Sequence, residues 1–156
     1  MKLIHYANAE FSLEPKEYDQ ELLTWKAKPN GLWVSVQGKD DWKNWCESEE
    51  FRVENLAVSY EVKLKKNANI CYLKSKEELF DFTKKYPSKT RVFDPDSDTY
   101  QLNWSEISEH YQGIIIPKYL WECRLALESS WYYGWDCASG CIWDLECIKE
   151  FKLRET

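Results

Sequence analysis

The chain holds two histidines, His5 and His110, and the neighbours of each say what it could do. His5 lies in Leu3-Ile4-His5-Tyr6, a stretch that suits a strand, so its imidazole either fills a structural position or hydrogen-bonds a ligand. His110 follows Glu109 and precedes Tyr111, the setting of a solvated residue at a helix end. Trp42 and Trp45, at i and i+3, share one helix face; that spacing serves a core or a stacking platform for a flat ring. The segment Trp131-Tyr132-Tyr133-Gly134-Trp135-Asp136 is dense in aromatics and ends on a carboxylate. It reads as a local minicore or as a recognition surface for a base, a nucleotide or a protein. Cys137, Cys141 and Cys147 lie close together, yet their spacing lacks the paired C-x-x-C knuckles of a zinc site. They read as small buried apolar side chains, with no metal expected.

These groups need elements to hold them. A strand is expected over residues 2–7, then a helix from Leu13 to Lys26, with Pro15 in its first turn and Tyr18, Leu22 and Trp25 at helical spacing. Lys28-Pro29-Asn30-Gly31 forms a turn into the strand Leu32 to Val36, and Asp40 or Asp41 caps the helix that carries Trp42, Trp45 and Cys46. From Leu56 to Leu64, apolar residues alternate with Ala57, Ser59, Glu61 and Lys63, the pattern of a strand with one buried face. Ile70 to Leu73 is a further strand. Ser75-Lys76-Glu77-Glu78 is a capping box opening a helix through Leu79, Phe82 and Tyr86, which Pro87 ends. After a polar loop from Pro87 to Thr99 come a short helix from Trp104 to Tyr111 and a buried strand, Gly113 to Ile116. Tyr119 to Glu128 suits a helix or an insertion, and Ser129 to Gly140 is irregular. A strand pair, Cys141 to Trp143 and Cys147 to Leu153, completes an α+β domain spanning residues 1–156.

Composition narrows the function classes. With 156 residues, 44% hydrophobic and 16% aromatic, the chain has apolar area enough for one core, which excludes general disorder. The 27 acidic residues outnumber 21 Lys plus Arg, a net charge of -6 that disfavours duplex binding through a broadly basic surface. Five scattered glycines exclude the phosphate-cradling loops of Rossmann and P-loop proteins. Polarity enters the first ten residues too early for a secretory signal, and no run reaches membrane-spanning length. A cytoplasmic protein with free thiols and no membrane partner is expected.

The order of landmarks resembles one family. Leu3-Ile4-His5-Tyr6 resembles the first-strand "L-x-H-G" segment of the His-type ADP-ribosyltransferases, the group that includes the poly-ADP-ribose polymerases. Gly31-Leu32-Trp33-Val34-Ser35 is similar to the "G-[IL]-[YW]-[FV]-[AST]" strand, and Trp42 and Trp45 stand on the helix where the family has its tyrosine. Tyr111-Gln112-Gly113-Ile114-Ile115 resembles "Y-D-G-I-[IV]", and Cys141 to Lys149 resembles the terminal "Y-[IV]-V-[FY]-D-P-x-Q-I-K" segment.

The resemblance implies a split, mostly antiparallel sheet with short flanking helices, gripping NAD as substrate in a cleft. His5 would bond the adenosine-side ribose, and the backbone around Tyr6 would hold the nicotinamide amide. Trp42 or Trp45 would stack on the nicotinamide ring, with Gly31, Leu32, Trp33 and Ser35 along the pocket. The sequence departs from the family where the polymerase-like enzymes carry a catalytic glutamate, because Ser139 stands there. Asp136 is the nearby carboxylate able to supply the anion. The function implied is transfer of ADP-ribose from NAD to a macromolecular acceptor, a protein or a single-stranded nucleic acid, by a toxin-like or phage-type effector. The alternative is a non-catalytic interaction module on the same scaffold, gripping a protein or nucleotide partner through residues 131–136.

Overall fold

The computed structural model describes residues 1–20, 28–88 and 101–155. Seven strands form one sheet: β1 (Leu3–Ala7), β2 (Leu32–Val36), β3 (Val58–Leu64), β4 (Ile70–Tyr72), β5 (Gly113–Ile116), β6 (Ser139–Ile142) and β7 (Ile148–Leu153). Among the described residues three α-helices, α1 (Trp42–Glu49), α2 (Lys76–Lys85) and α3 (Trp104–His110), accompany them. The strand order is β4-β5-β6-β2-β1-β3-β7. Every neighbouring pair is antiparallel except β4 and β5, which are parallel and joined by the crossover that contains α2 and α3. The domain is α+β with a mixed sheet. Among the described residues no helix is long and apolar enough to cross a membrane.

The helix starts follow their caps. Asp41 accepts from the Asn44 amide at 2.9 Å, and Ser75 accepts from that of Glu78 at 3.1 Å. In the second case the Glu78 carboxylate reaches back to the Lys74 N–H at 2.8 Å, so both ends of the cap are tied.

Separate apolar clusters pack on the two faces of the sheet. Cys71, Ile114, Ile116 and Cys141 lie with α2, α3 and the buried Trp131, Tyr132 and Trp135 on one side. Leu3, Val34, Val36, Val62, Ile115 and Ile142 form the other. Ile70 on one edge strand and Ile148 and Phe151 on the opposite edge strand pack against this second cluster, which places both edges at one core and curls the sheet. Gly140 permits the β5–β6 approach, since a Cβ there would lie 2.6 Å from both the Ile114 carbonyl oxygen and Ile115 Cγ1.

Several sequence expectations are corrected. Residues 13–20 are not helical, and the rest of the helix expected from Leu13 to Lys26 lies outside the described residues. Tertiary bonds hold this stretch instead: the Tyr60 hydroxyl accepts from the Phe11 N–H at 2.8 Å, and Gln20 exchanges two hydrogen bonds with the Asn30 backbone. The strand expected from Leu56 starts at Val58, because Val53–Leu56 forms a 3-10 turn. Tyr119 to Glu128 is not a full helix; 3-10 turns occupy Trp121–Cys123 and Leu127–Gly134. The last two strands do not pair with each other. β6 runs between β5 and β2, whereas β7 forms an edge beside β3. Of the loop from Pro87 to Thr99, residues 89–99 lie outside the described residues.

Candidate functional site

The two central strands, β1 and β2, pair at only two positions, Leu3 with Val36 and Ile4 with Ser35. Beyond Ile4 each strand keeps its outer partner: β1 continues along β3 to Ala7, and β2 continues along β6 to Leu32. The sheet therefore parts in the middle. A cavity of about 240 Å³ occupies the place, lined by His5 and Tyr6 from β1, Trp33 and Ser35 from β2, and Trp42 from α1. Lys28, Trp135, Asp136, Cys137 and Ser139 complete its polar and aromatic wall.

Pairing fixes the orientations. Ile4, Ser35 and Ser139 lie side by side across β1, β2 and β6, so they share a face, and Tyr6 joins them two residues on. His5 belongs to the opposite face, where its ring meets Phe11 and Phe151 at centroid distances of 5.7 and 6.0 Å. It reaches the cavity through the gap, with Nδ1 bonded to the Trp33 carbonyl oxygen at 2.6 Å. A carbonyl only accepts, so Nδ1 carries the proton and Nε2 of the neutral ring keeps a free lone pair. Burial lowers the His5 pKa, against the smaller opposing effect of the Trp33 bond, and so favours that neutral form.

Ser35 and Ser139 have structural partners. The Ser35 hydroxyl accepts from the Trp42 N–H at 2.9 Å, which ties the first residue of α1 to β2 and sets the Trp42 ring at the cavity. The Ser139 hydroxyl donates to the Cys137 carbonyl at 3.1 Å, within its own turn. Asp136 differs from both. Its carboxylate has no hydrogen-bond partner among the described residues, and burial raises its pKa; Lys28 and Arg124 oppose that shift and Glu49 adds to it. Cys137 is an inert wall, because burial pushes its thiol up to about 12. All six cysteines are buried free thiols, and no group of three His, Cys, Asp or Glu able to hold a metal occurs among the described residues.

Three residues expected in the pocket are not on its wall. Gly31 packs against β6, where a Cβ would sit 2.6 Å from Cys141 Sγ, and Leu32 is buried beside it. Trp45 stands behind Trp42, stacked at 5.2 Å and 11°. The aromatic segment from Trp131 is a minicore. Trp131, Tyr132 and Trp135 are buried; the Trp131 indole donates to Thr83 at 2.9 Å, and the Tyr132 hydroxyl accepts from the Leu120 N–H at 3.0 Å. Tyr133 alone of these aromatics is exposed. Lys28 and Trp135 line the cavity although no motif marks them as pocket residues. Their signal was position: Lys28 opens the turn before β2, and Trp135 immediately precedes Asp136. Lys28 Nζ sits over the Trp33 ring at 5.7 Å, and Trp33 meets Trp135 edge-on at 5.0 Å.

Comparison of the chain with family models, curated proteins and solved structures returns no match.

Proposed function

We propose that the protein binds NAD at this cavity and transfers its ADP-ribose to a macromolecular acceptor. One observation carries the reading. His5 and Tyr6 near one end of the sequence, Trp33, Ser35 and Trp42 in its first third, and Asp136 and Ser139 near the other end all line a single cavity where the central strands part. Of that set the resemblance to the His-type ADP-ribosyltransferases implies His5, Tyr6, Trp33, Ser35 and Trp42 at the NAD, while Ser139 stands at the glutamate position and Asp136 is the carboxylate beside it.

The size suits part of the substrate. A cavity of about 150 Å³ accepts benzene, so 240 Å³ holds the nicotinamide ring and some of its ribose. The remainder of the dinucleotide would extend out through the mouth. The Trp42 ring offers a flat aromatic face to the cationic nicotinamide, and Nε2 of His5 offers an acceptor to a ribose hydroxyl.

In the reaction the bond from ribose C1′ to the nicotinamide nitrogen breaks, and its electron pair leaves with nicotinamide. The acceptor's nucleophile bonds to C1′ and gives up a proton. Positive charge grows on the ribose between these events, and a carboxylate in a partly desolvated wall stabilises it. Asp136 fits that role; Ser139 carries no charge, and its hydroxyl already serves the Cys137 carbonyl. Buried free thiols suit the reducing cytoplasm, where NAD is abundant.

Nicotinamide release from NAD, with and without cell lysate as acceptor source, tests the proposal. Turnover by the unsubstituted protein and its loss in Asp136→Asn are expected. Absence of NAD binding at millimolar concentration overturns it. A binding-only role is the second reading, favoured by Ser139 at the glutamate position. It predicts quenching of tryptophan fluorescence by NAD with no nicotinamide released.

A further inference from the structure

Beyond Trp42 the cavity wall continues outward as an aromatic strip, whose Trp45 and Phe51 the NAD site does not use. Trp42 lines the cavity, Trp45 stacks on it, and Phe51 meets Trp45 edge-on at 5.4 Å and Trp42 at 6.4 Å. Glu50 and Arg52 on either side of Phe51 adopt left-handed backbone, with φ of 53° and 44°, and Phe51 between them is 40% exposed. Val53 beside it is 46% exposed.

We propose that this strip docks a basic, arginine-bearing segment of a protein partner, and that the segment presents the acceptor to the cavity. Charge complementarity selects the occupant. Glu47, Glu49, Glu50 and Glu54 are exposed around the strip, against Lys43 and Arg52. The last turn of α1 carries no basic residue, so the partial negative charge of its C-terminal carbonyls is not offset there. The strip already takes one guanidinium, since Arg52 lies over the Phe51 ring at 5.0 Å.

A planar guanidinium stacks on aromatic faces and pairs with carboxylates in two-pronged fashion, which a point-like ammonium does less well. The same carboxylates repel a phosphate backbone, so tryptophan stacking on nucleic-acid bases is opposed here. A neutral apolar partner would bury carboxylates without counter-charges. The naming of this segment as acceptor rests on the NAD reading; its docking does not.

Fluorescence anisotropy of labelled peptides of equal length, arginine-rich, lysine-rich and acidic, and of a single-stranded oligonucleotide tests the proposal on the full chain. The arginine-rich peptide should bind tightest and weaken as salt rises. Phe51→Ala should weaken it about tenfold. The double substitution Glu49→Gln, Glu50→Gln, at exposed positions that keep the fold, should weaken it as well. Equal or tighter binding of the acidic peptide or the oligonucleotide overturns the proposal, as does unchanged affinity in both variants. NAD binding by the unsubstituted protein is measured alongside: peptide selectivity without an NAD response defeats the NAD reading alone, and an NAD response without peptide selectivity defeats the docking alone.

Discussion

The two halves of the sheet bury different numbers of faces. In β5 and β6 every residue is buried, and Ile114, Ile115 and Ile116 are all fully enclosed. In β3 and β7 one face is apolar, with Tyr60, Val62 and Phe151, while the other carries cross-strand pairs of opposite charge, Glu61 with Lys152 and Lys63 with Glu150. α2 and α3 pack on the second face of the first half, whereas in β3 and β7 that face is lined by these charged pairs. The cavity lies where the two halves part. A site at such a seam has a rigid, doubly packed wall carrying Ser35, Trp33 and Ser139, and a thinner wall carrying His5 and Tyr6.

Paired substitutions at adjacent residues give this contrast its largest test. Ile114→Ala and Ile115→Ala point to opposite faces, yet each should cost about 2–5 kcal/mol, because both side chains are buried. In β3, Val62→Ala should cost roughly 1.5–3 kcal/mol, whereas Glu61→Ala next to it should stay within about 0.5 kcal/mol. Denaturant midpoints measure all four. A small effect at either isoleucine, or a large one at Glu61, would break the contrast.

The seam itself should show in pH dependence. Burial lowers the His5 pKa below the ordinary 6.5, so between its folded value and 6.5 the unfolded chain binds more protons than the folded one. The stability that neutral His5 contributes is therefore present above about 6.5 and is lost as pH falls through that window toward the folded pKa. Melting temperatures of the unsubstituted protein and His5→Gln should differ most near neutrality and converge on acidification. Parallel curves would mean that the imidazole is not held neutral at the seam.

How legible this was depended on how many faces an element buries. β3 announces itself by alternation, and β5 by the compact run Gly113 to Ile116 between Gln112 and Pro117. The boundaries of β2, Leu32 to Val36, were read directly because Gly31 and the Lys28 turn precede it. In the stretch from Leu13, Tyr18 and Pro15 mimic a helix start, while the bonds at its two ends come from Tyr60 to Phe11 and from the Asn30 backbone to Gln20, neither of which helical spacing reveals. The same limit applied to the site. The set His5, Ser35, Trp42, Asp136 was visible as residue types in order, but Trp45 was equivalent to Trp42 by helical spacing. The bond from the Trp42 N–H to the Ser35 hydroxyl ties the start of the helix to β2, and Trp42 is the ring that faces the cavity. The aromatic segment from Trp131 was open between core and surface for a related reason: its partners Thr83 and Leu120 are distant in sequence.

Asp136 sets function against stability. Burial raises its pKa above the ordinary 3.8, so the folded chain holds its proton more tightly than the unfolded chain. Stability linked to this group is greatest when it is protonated, and declines as pH rises from about 3.8 through the raised value. Asp136→Asn should then melt slightly higher than the unsubstituted protein near neutrality, with the gain vanishing in acid, while nicotinamide release is lost. A lower melting temperature for the variant at neutral pH would instead make Asp136 a stabilising residue of the wall.

The smallest effect belongs to the bare face. Lys63 and Glu150 are directly opposite on β3 and β7, with Nζ and Oε2 3.6 Å apart and side chains 57% and 43% exposed. Water screens such a pair, and holding two long side chains in register opposes the attraction, so Lys63→Ala should cost no more than about 0.2–1 kcal/mol. Raised salt should shrink that difference further, whereas it should leave the cost of Ile115→Ala nearly unchanged, because that cost comes from lost packing. A Lys63→Ala effect as large as that of Val62→Ala would show that the charged face is covered in solution, and would remove the asymmetry between the two walls of the cavity.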